Sequence, residues 1–152
     1  MSDNPGVIIP PPLMFATAGA AGALLDGNVP DWGQLAEPLR VAGALLILSG
    51  LALIGAALGL FRRAGTRPEP WQPSSALVEA GPYRFTRNPM YLGMALISAG
   101  LAACFESLGA AGLSALTVLI VDRFVISREE AYLIQRFGEA YADYRRRVRR
   151  WL

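Results

Sequence analysis

Gly81-Pro82-Tyr83-Arg84-Phe85-Thr86-Arg87-Asn88-Pro89-Met90-Tyr91-Leu92-Gly93 is the stretch around which this chain is organised. Gly-Pro is typical of a turn, and Asn-Pro is typical of a helix start, with Asn88 as the N-cap and Pro89 at the first helical position. An apolar run follows at once. The stretch therefore predicts a helix from Pro89, with two tyrosines and two arginines gathered at its start. Free N–H groups and the positive end of the helix dipole favour an anion there.

The composition is that of a membrane protein. Of the 152 residues, 53% are hydrophobic and 17% are charged, and the mean hydropathy is +0.36, which is too apolar for a soluble globule of this size. The length fits a single domain, 1–152. The chain has no His, and Cys104 is its one Cys. We therefore predict no metal site and no internal disulfide.

Four apolar runs predict an all-α fold with four membrane helices, at about 7–25, 39–61, 89–104 and 108–126. The second run is the clearest, because it is long enough for a hydrocarbon layer of about 30 Å. Gly55 and Gly59 predict a small-xxx-small packing face, with Gly43 and Gly50 as further points of close approach. Such Gly-rich faces would permit a homodimer.

Positive charge is concentrated on one side of the predicted bundle. The 62–88 connection and the C-terminal segment hold nearly all the arginines, whereas the opposite connections carry mainly Asp and Glu. By the positive-inside rule we expect the 62–88 loop and both termini to be cytoplasmic, in a bacterial inner membrane.

Residues 128–151 predict an amphipathic helix at the membrane interface. Its apolar face is formed by residues three and four apart, namely Leu133, Phe137, Tyr141, Tyr144 and Val148. Arginines crowd its end, which suits the helix dipole and anionic headgroups. Ser127 to Glu130 fits a capping box at its start. The helix would either only anchor the protein or also close a cofactor pocket.

Four motifs, taken in order, resemble the integral-membrane methyltransferases grouped around isoprenylcysteine carboxyl methyltransferase, with phospholipid N-methyltransferases as relatives. That family has Gly-x-Tyr, Arg-His-Pro-x-Tyr, Glu-Glu and Phe-Gly-x-x-Tyr-x-x-Tyr. Here these are Gly81-Pro82-Tyr83, Arg87-Asn88-Pro89-Met90-Tyr91, Glu129-Glu130 and Phe137-Gly138-Glu139-Ala140-Tyr141-Ala142-Asp143-Tyr144. The resemblance covers Leu77 to Trp151, and Asn88 stands where the family has His.

The resemblance implies S-adenosylmethionine as methyl donor, with S-adenosylhomocysteine as product and direct transfer that depends on positioning. Tyrosine rings and a carboxylate suit the sulfonium cation, the helix start suits the cofactor's carboxylate, and an apolar wall suits its adenine. The predicted cofactor-binding residues are Leu77, Val78, Tyr83, Asn88, Pro89, Tyr91, Glu129 and Glu130. The predicted catalytic residues are Glu129 and Arg87, although Arg87 would either hold the acceptor's headgroup or extend to lipid phosphate.

Asn88 bears on the mechanism, because an amide does not titrate and cannot act as a base. A carboxylate or thiolate acceptor needs no base. A protonated amine would need Glu129, Glu130 or Asp122. Asp122 and its neighbour Arg123 either mark the membrane interface or line a cavity.

We therefore expect a membrane methyltransferase that uses S-adenosylmethionine and acts on a lipophilic or small apolar acceptor bearing a carboxylate, thiol or amine. Two alternatives stay open. One is a phospholipid amine N-methyltransferase, and the other is a non-catalytic scaffold whose Arg-rich C-terminal helix binds anionic lipid. The expected partners are membrane lipid and the acceptor, and no nucleic acid is expected.

Overall fold

The computed structural model describes residues 6, 9–26, 33–67 and 74–152, and within these ranges the chain is helical, without strands. The helices are α1 (Pro11–Leu25), α2 (Ala36–Arg63), α3 (Pro89–Cys104), α4 (Leu108–Ile120), α5 (Ser127–Phe137) and α6 (Glu139–Arg147). Short 3-10 turns lie at Gly33–Leu35 and Gly81–Arg84, and a π-helical turn at Val121–Ile126 joins α4 to α5.

Local signals explain where the first helices start. Pro10 is extended and Pro11 occupies the first helical position of α1, where proline loses no hydrogen bond. Residues 7 and 8, which belong to the helix predicted over 7–25, lie outside the described residues. α2 extends beyond the predicted 39–61 at both ends, and α3 begins at Pro89 as the Asn-Pro signal predicts.

Two helical stretches, Gly33–Arg63 and Leu108–Phe137, are long and apolar enough to cross a membrane. α2 alone has 28 residues, which corresponds to about 42 Å at 1.5 Å per residue. α1 and α3 are apolar but shorter. The length and apolar character of these helices make this a plausible membrane-protein fold.

Glycines set the two closest helix contacts. A Cβ on Gly100 of α3 would lie 2.5 Å from the carbonyl oxygen of Gly43 on α2, and one on Gly22 of α1 would lie 2.4 Å from Cα of Ala110 on α4. Small residues allow helix backbones to approach this closely. α2 therefore pairs with α3, and α1 pairs with α4.

The predicted packing face at Gly55 and Gly59 is wrong for this chain's own helices. A Cβ at either position would meet no described atom within 4 Å, whereas one on Gly50 would lie 2.5 Å from the carbonyl oxygen of Gly93. The reason is geometric: α3 crosses α2 on the face that carries Gly43 and Gly50.

The helix predicted over 128–151 is two helices followed by an extended segment. Because α4 continues through the π-helical turn into α5, Ser127 is not an N-cap, and its hydroxyl donates to the carbonyl of Asp122 at 3.1 Å. The predicted capping box is therefore wrong. Gly138 has φ +54° and ends α5, since glycine adopts this left-handed region without a Cβ clash. Val148 is extended and ends α6.

The predicted apolar face of the C-terminal segment nevertheless packs together. Tyr141, Tyr144 and Val148 are buried in one cluster, with Leu133 and Phe137 packed against it. A second cluster surrounds Tyr91 and the π-helical turn. The break at Gly138 turns α6 back towards the loop before α3, so residues of two helices share one core.

Candidate functional site

A cavity of about 390 Å³ lies among the loop before α3, the start of α3, and helices α5 and α6. All the predicted site residues except Pro89 line it: Leu77, Val78, Tyr83, Arg87, Asn88, Tyr91, Glu129 and Glu130. The structure therefore brings together residues from two separated parts of the chain, 77–91 and 129–130. Their individual roles stay predictions.

Pro89 does not reach the cavity. Its side chain is fully buried, at the first position of α3, where its fixed φ favours the helical start. Arg84 is likewise outside, because it is exposed and does not line the cavity. Of the two arginines expected at the helix start, Arg87 alone lines the site.

Tyr91 and Glu129 meet across the cavity. The Tyr91 hydroxyl donates a short hydrogen bond to Oε1 of Glu129, which links α3 to α5. The Tyr91 ring packs against the buried residues Val121 and Val125 of the π-helical turn. The ring is therefore held by apolar packing while its hydroxyl orients a carboxylate at the cavity wall.

Tyr83 is fixed from two directions. Its carbonyl accepts a hydrogen bond of 2.8 Å from the Tyr144 hydroxyl, and its ring makes an edge contact with Phe61 at 5.7 Å between ring centroids. Burial raises the pKa of the Tyr83 and Tyr144 phenols well above its usual range. Both phenols therefore stay neutral beyond the pH at which an exposed tyrosine ionises.

The apolar wall at Leu77 and Val78 is held by the ends of its loop. The backbone N–H of Ser74 donates to the Tyr132 hydroxyl at 3.0 Å, and Glu79 forms a 2.8 Å ion pair with Arg147. The loop is thereby attached to α5 at one end and to α6 at the other.

Asn88 has a different role from the predicted cap. Its side chain caps no N–H of α3, and Nδ2 instead donates to the carbonyl of Arg150 at 2.9 Å. The Thr86 hydroxyl donates to the same carbonyl at 3.1 Å and accepts from the Asn88 N–H at 3.1 Å. The predicted side-chain cap is wrong, because the side-chain amide of Asn88 bonds instead to a backbone carbonyl that is distant in sequence.

Arg87 and Glu130 form a buried ion pair. Nη1 of Arg87 lies 2.8 Å from Oε1 of Glu130, and the two side chains are 9% and 8% exposed. Glu130 also accepts from Arg150, through Nε at 3.1 Å and Nη2 at 2.6 Å. Glu130 thus lines the cavity with its carboxylate shared by two guanidinium groups. Nε of Arg87 is buried and has no assigned hydrogen-bond partner among the described residues.

Sequence reasoning missed the contribution of the C-terminal segment 148–152. Nη1 of Arg150 lies 3.2 Å from Oδ1 of Asp122, and Nε1 of Trp151 donates to that oxygen at 2.8 Å. Asp122, for which interface and cavity were both open, therefore binds this segment. A charge inside an apolar helix was the available signal, but its partners lie 28 and 29 residues further on.

An apolar groove of about 570 Å³ lies beside the cavity, along α1 and α3. Pro12, Ile54 and Met94 line both spaces. The groove also has small α1 residues, such as Gly19, and apolar α3 residues, such as Leu101, in its wall. The cavity therefore adjoins a second, largely apolar space. Within the described ranges, no cluster of three or more His, Cys, Asp or Glu side chains is arranged to hold a metal ion.

Comparison with known proteins identifies a family for this chain. The family described as phospholipid methyltransferase matches residues 39–140. An uncharacterized protein of Haemophilus influenzae is 49% identical over 35 residues, which are 23% of this chain and 56% of that protein. The cobalt-zinc-cadmium resistance protein CzcN of Cupriavidus metallidurans is 36% identical over 126 residues, which are 83% of this chain and 55% of that protein.

The chain thus spans little more than half the length of these curated relatives. No solved structure matches it.

Proposed function

The chain belongs to the phospholipid methyltransferase family, and from that premise we propose that it transfers a methyl group from S-adenosylmethionine to a lipophilic acceptor at the membrane. One observation carries the proposal. Tyr91, Glu129 and Arg87, which come from separate elements, line one cavity beside the apolar wall at Leu77 and Val78.

The lining groups match the parts of this cofactor. The Glu129 carboxylate and the rings of Tyr83 and Tyr91 suit its cationic groups. The positive charge of Arg87, which lines the cavity, and the N–H groups at the start of α3 suit its carboxylate. The cavity volume of about 390 Å³ lies within the roughly 300–1,000 Å³ typical of small-molecule sites. When bound, S-adenosylmethionine supplies an electrophilic methyl group on its sulfonium sulfur.

The protein's contribution is to orient the reactants and exclude water. Tyr91 orients Glu129, and the buried Arg87–Glu130 pair fixes a cationic group at the wall. Asn88 cannot titrate, and its amide is already bonded to Arg150. An acceptor that reacts as a carboxylate or thiolate therefore suits this site, and a protonated amine would depend on Glu129.

We place the site at the cytoplasmic face, with α1 to α4 crossing the bilayer and α6 at the interface. The arginine-rich 62–88 connection and C-terminal segment support this orientation. The apolar groove that shares Pro12, Ile54 and Met94 with the cavity supports an acceptor whose apolar part remains among the helices. The family description favours a phospholipid amine as the alternative acceptor.

The test is transfer of labelled methyl from S-adenosylmethionine by the detergent-purified protein. The acceptor panel contains lipophilic carboxylic acids, lipophilic thiols and an amine phospholipid, and the label is counted in the organic phase. We expect label in at least one product, inhibition by S-adenosylhomocysteine, and loss of about tenfold or more in Tyr91→Phe, which leaves the Glu129 carboxylate unoriented.

A folded protein that labels none of these acceptors and does not bind S-adenosylhomocysteine would refute the proposal. That result would favour a non-catalytic scaffold instead.

A further inference from the structure

Arg150 is a junction of three elements around the cavity, although it is not among the described residues that line it. Its guanidinium group forks onto Glu130 of α5, with Nε at 3.1 Å and Nη2 at 2.6 Å. Nη1 lies 3.2 Å from both carboxylate oxygens of Asp122 in the π-helical turn. All three guanidinium nitrogens are therefore engaged.

The backbone of the same segment holds the start of α3. The carbonyl of Arg149 accepts the Arg87 N–H at 3.0 Å, and the carbonyl of Arg150 accepts the Thr86 hydroxyl and the Asn88 amide. We call residues 148–152 the strap. It bonds to the loop before α3, to the π-helical turn and to α5.

The charges form one chain through the cavity wall. Arg87 pairs with Glu130, Glu130 pairs with Arg150, and Arg150 pairs with Asp122. Asp122 also lies 3.6 Å from Nε of the exposed Arg123, so three guanidinium groups share two carboxylates. If Arg150 were neutral, Glu130 would keep Arg87 alone, and the position of the Arg87 guanidinium would change because a buried carboxylate draws in its remaining partner.

We infer that Arg150 is a positioning residue, which holds Arg87 through Glu130 and holds Asn88 through its own carbonyl. The inference rests on the proposed function for its catalytic consequence. The effect is local, because the helix bundle has separate contacts at Gly43–Gly100 and Gly22–Ala110, and the strap bonds to other elements.

The test compares Arg150→Gln with Arg149→Gln in the full chain. Arg149 is exposed and its guanidinium group contacts the Leu152 carbonyl at 3.5 Å, so it matches the charge change and keeps the strap carbonyls. We expect kcat/KM to fall about tenfold to a hundredfold in Arg150→Gln, and to change less than about twofold in Arg149→Gln. Arg150→Lys should recover only part of the loss. Its ammonium group keeps the positive charge beside Glu130, but it cannot form the two parallel hydrogen bonds of a guanidinium group.

A double-mutant cycle separates positioning from a general structural effect. If Arg150 acts through Glu130 on Arg87, then Arg150→Gln should cost less than about threefold once Arg87 is already Gln. If the losses of kcat/KM in the two single variants multiply in full in the double variant, the inference is overturned. An Arg150→Gln protein with wild-type kcat/KM would overturn it as well.

Hydrogen exchange gives a readout that needs no activity. In Arg150→Gln the Arg87 amide should exchange at least about tenfold faster, while amides in the middle of α2 keep their rate. Arg150→Lys serves here if the Gln variant does not fold. An unchanged exchange rate of the Arg87 amide would overturn the inference even if the protein is a methyltransferase. If the wild type is inactive but the Arg87 amide exchanges faster in the variant, the proposed function is refuted, while the positioning of Arg87 by the strap is supported.

Discussion

Replacing Glu129 with Gln removes a negative charge from the cavity and leaves the size of the side chain unchanged. The Tyr91 hydroxyl, which donates to Oε1 of Glu129, can still donate to the amide oxygen of Gln. The substitution therefore tests the charge and spares the hydrogen bond between α3 and α5. We expect weaker binding of the cofactor because its cationic groups lose a carboxylate.

The magnitude follows from one charged contact. Hydrogen bonds to charged groups contribute about 1.5–3 kcal/mol, and each 1.4 kcal/mol is about tenfold in affinity. S-adenosylmethionine should bind Glu129→Gln about tenfold to 150-fold more weakly than the wild type. S-adenosylhomocysteine has the ammonium but no sulfonium charge. A smaller loss for this product would place the carboxylate nearer the sulfur.

The assay is calorimetric titration of the purified protein with each of the two compounds, in the absence of an acceptor. Glu139→Gln is the matched control, because Glu139 is exposed at the start of α6 and does not line the cavity. Affinities of Glu129→Gln that stay within about twofold of the control for both compounds would refute this role of Glu129.

Two further predictions concern the packing and the helix start. Gly100→Ala should lower the free energy of unfolding by about 1–3 kcal/mol, because its Cβ would lie 2.5 Å from the Gly43 carbonyl oxygen. Gly59→Ala is the control and should not lower it, because the space around that Cβ is open. Equal thermal midpoints for the two variants in detergent would contradict this prediction. Asn88→Asp should lower methyl transfer about tenfold or more, because a carboxylate would face the Arg150 carbonyl that now accepts Nδ2; unchanged initial rates would contradict it.

Local signals predicted the start of α3 but not the partners of its first residues. Asn-Pro before an apolar run identifies Pro89 as the first helical residue, because the fixed φ of proline suits the first position of a helix. The side chain of Asn88 instead binds a carbonyl 62 residues away. No local pattern marks that carbonyl, and Arg150 resembles the surface arginines around it.

Periodicity predicted the shared apolar face of the C-terminal segment and missed its break. The spacing of three and four runs unbroken from Leu133 to Val148, so it favours one helix. Gly138, at φ +54°, was the local sign of a helix end. Similarly, glycine spacing on α2 indicated close packing, but a pattern on one helix does not say which face meets the partner.

The residues of the candidate site were predicted from motifs that can be recognised by their order in the sequence. The sequence does not show how these motifs are brought together in space. Three of the motifs predicted six residues that line the cavity, and the resemblance added Leu77 and Val78 just before the first motif. The apolar members on other helices, such as Ile54 and Phe61, carry no motif and were missed. A buried apolar residue is common in any helix bundle, so its place beside a ligand depends on the packing of α2 against α3.

Photoaffinity labelling with an azido derivative of S-adenosylmethionine, mapped by mass spectrometry, tests most directly whether this cavity binds the cofactor. We expect labelled peptides within residues 74–94 and 129–144, and their loss when S-adenosylhomocysteine is added in excess. Labelling confined to other segments, or labelling of a folded sample that S-adenosylhomocysteine does not compete away, would contradict it.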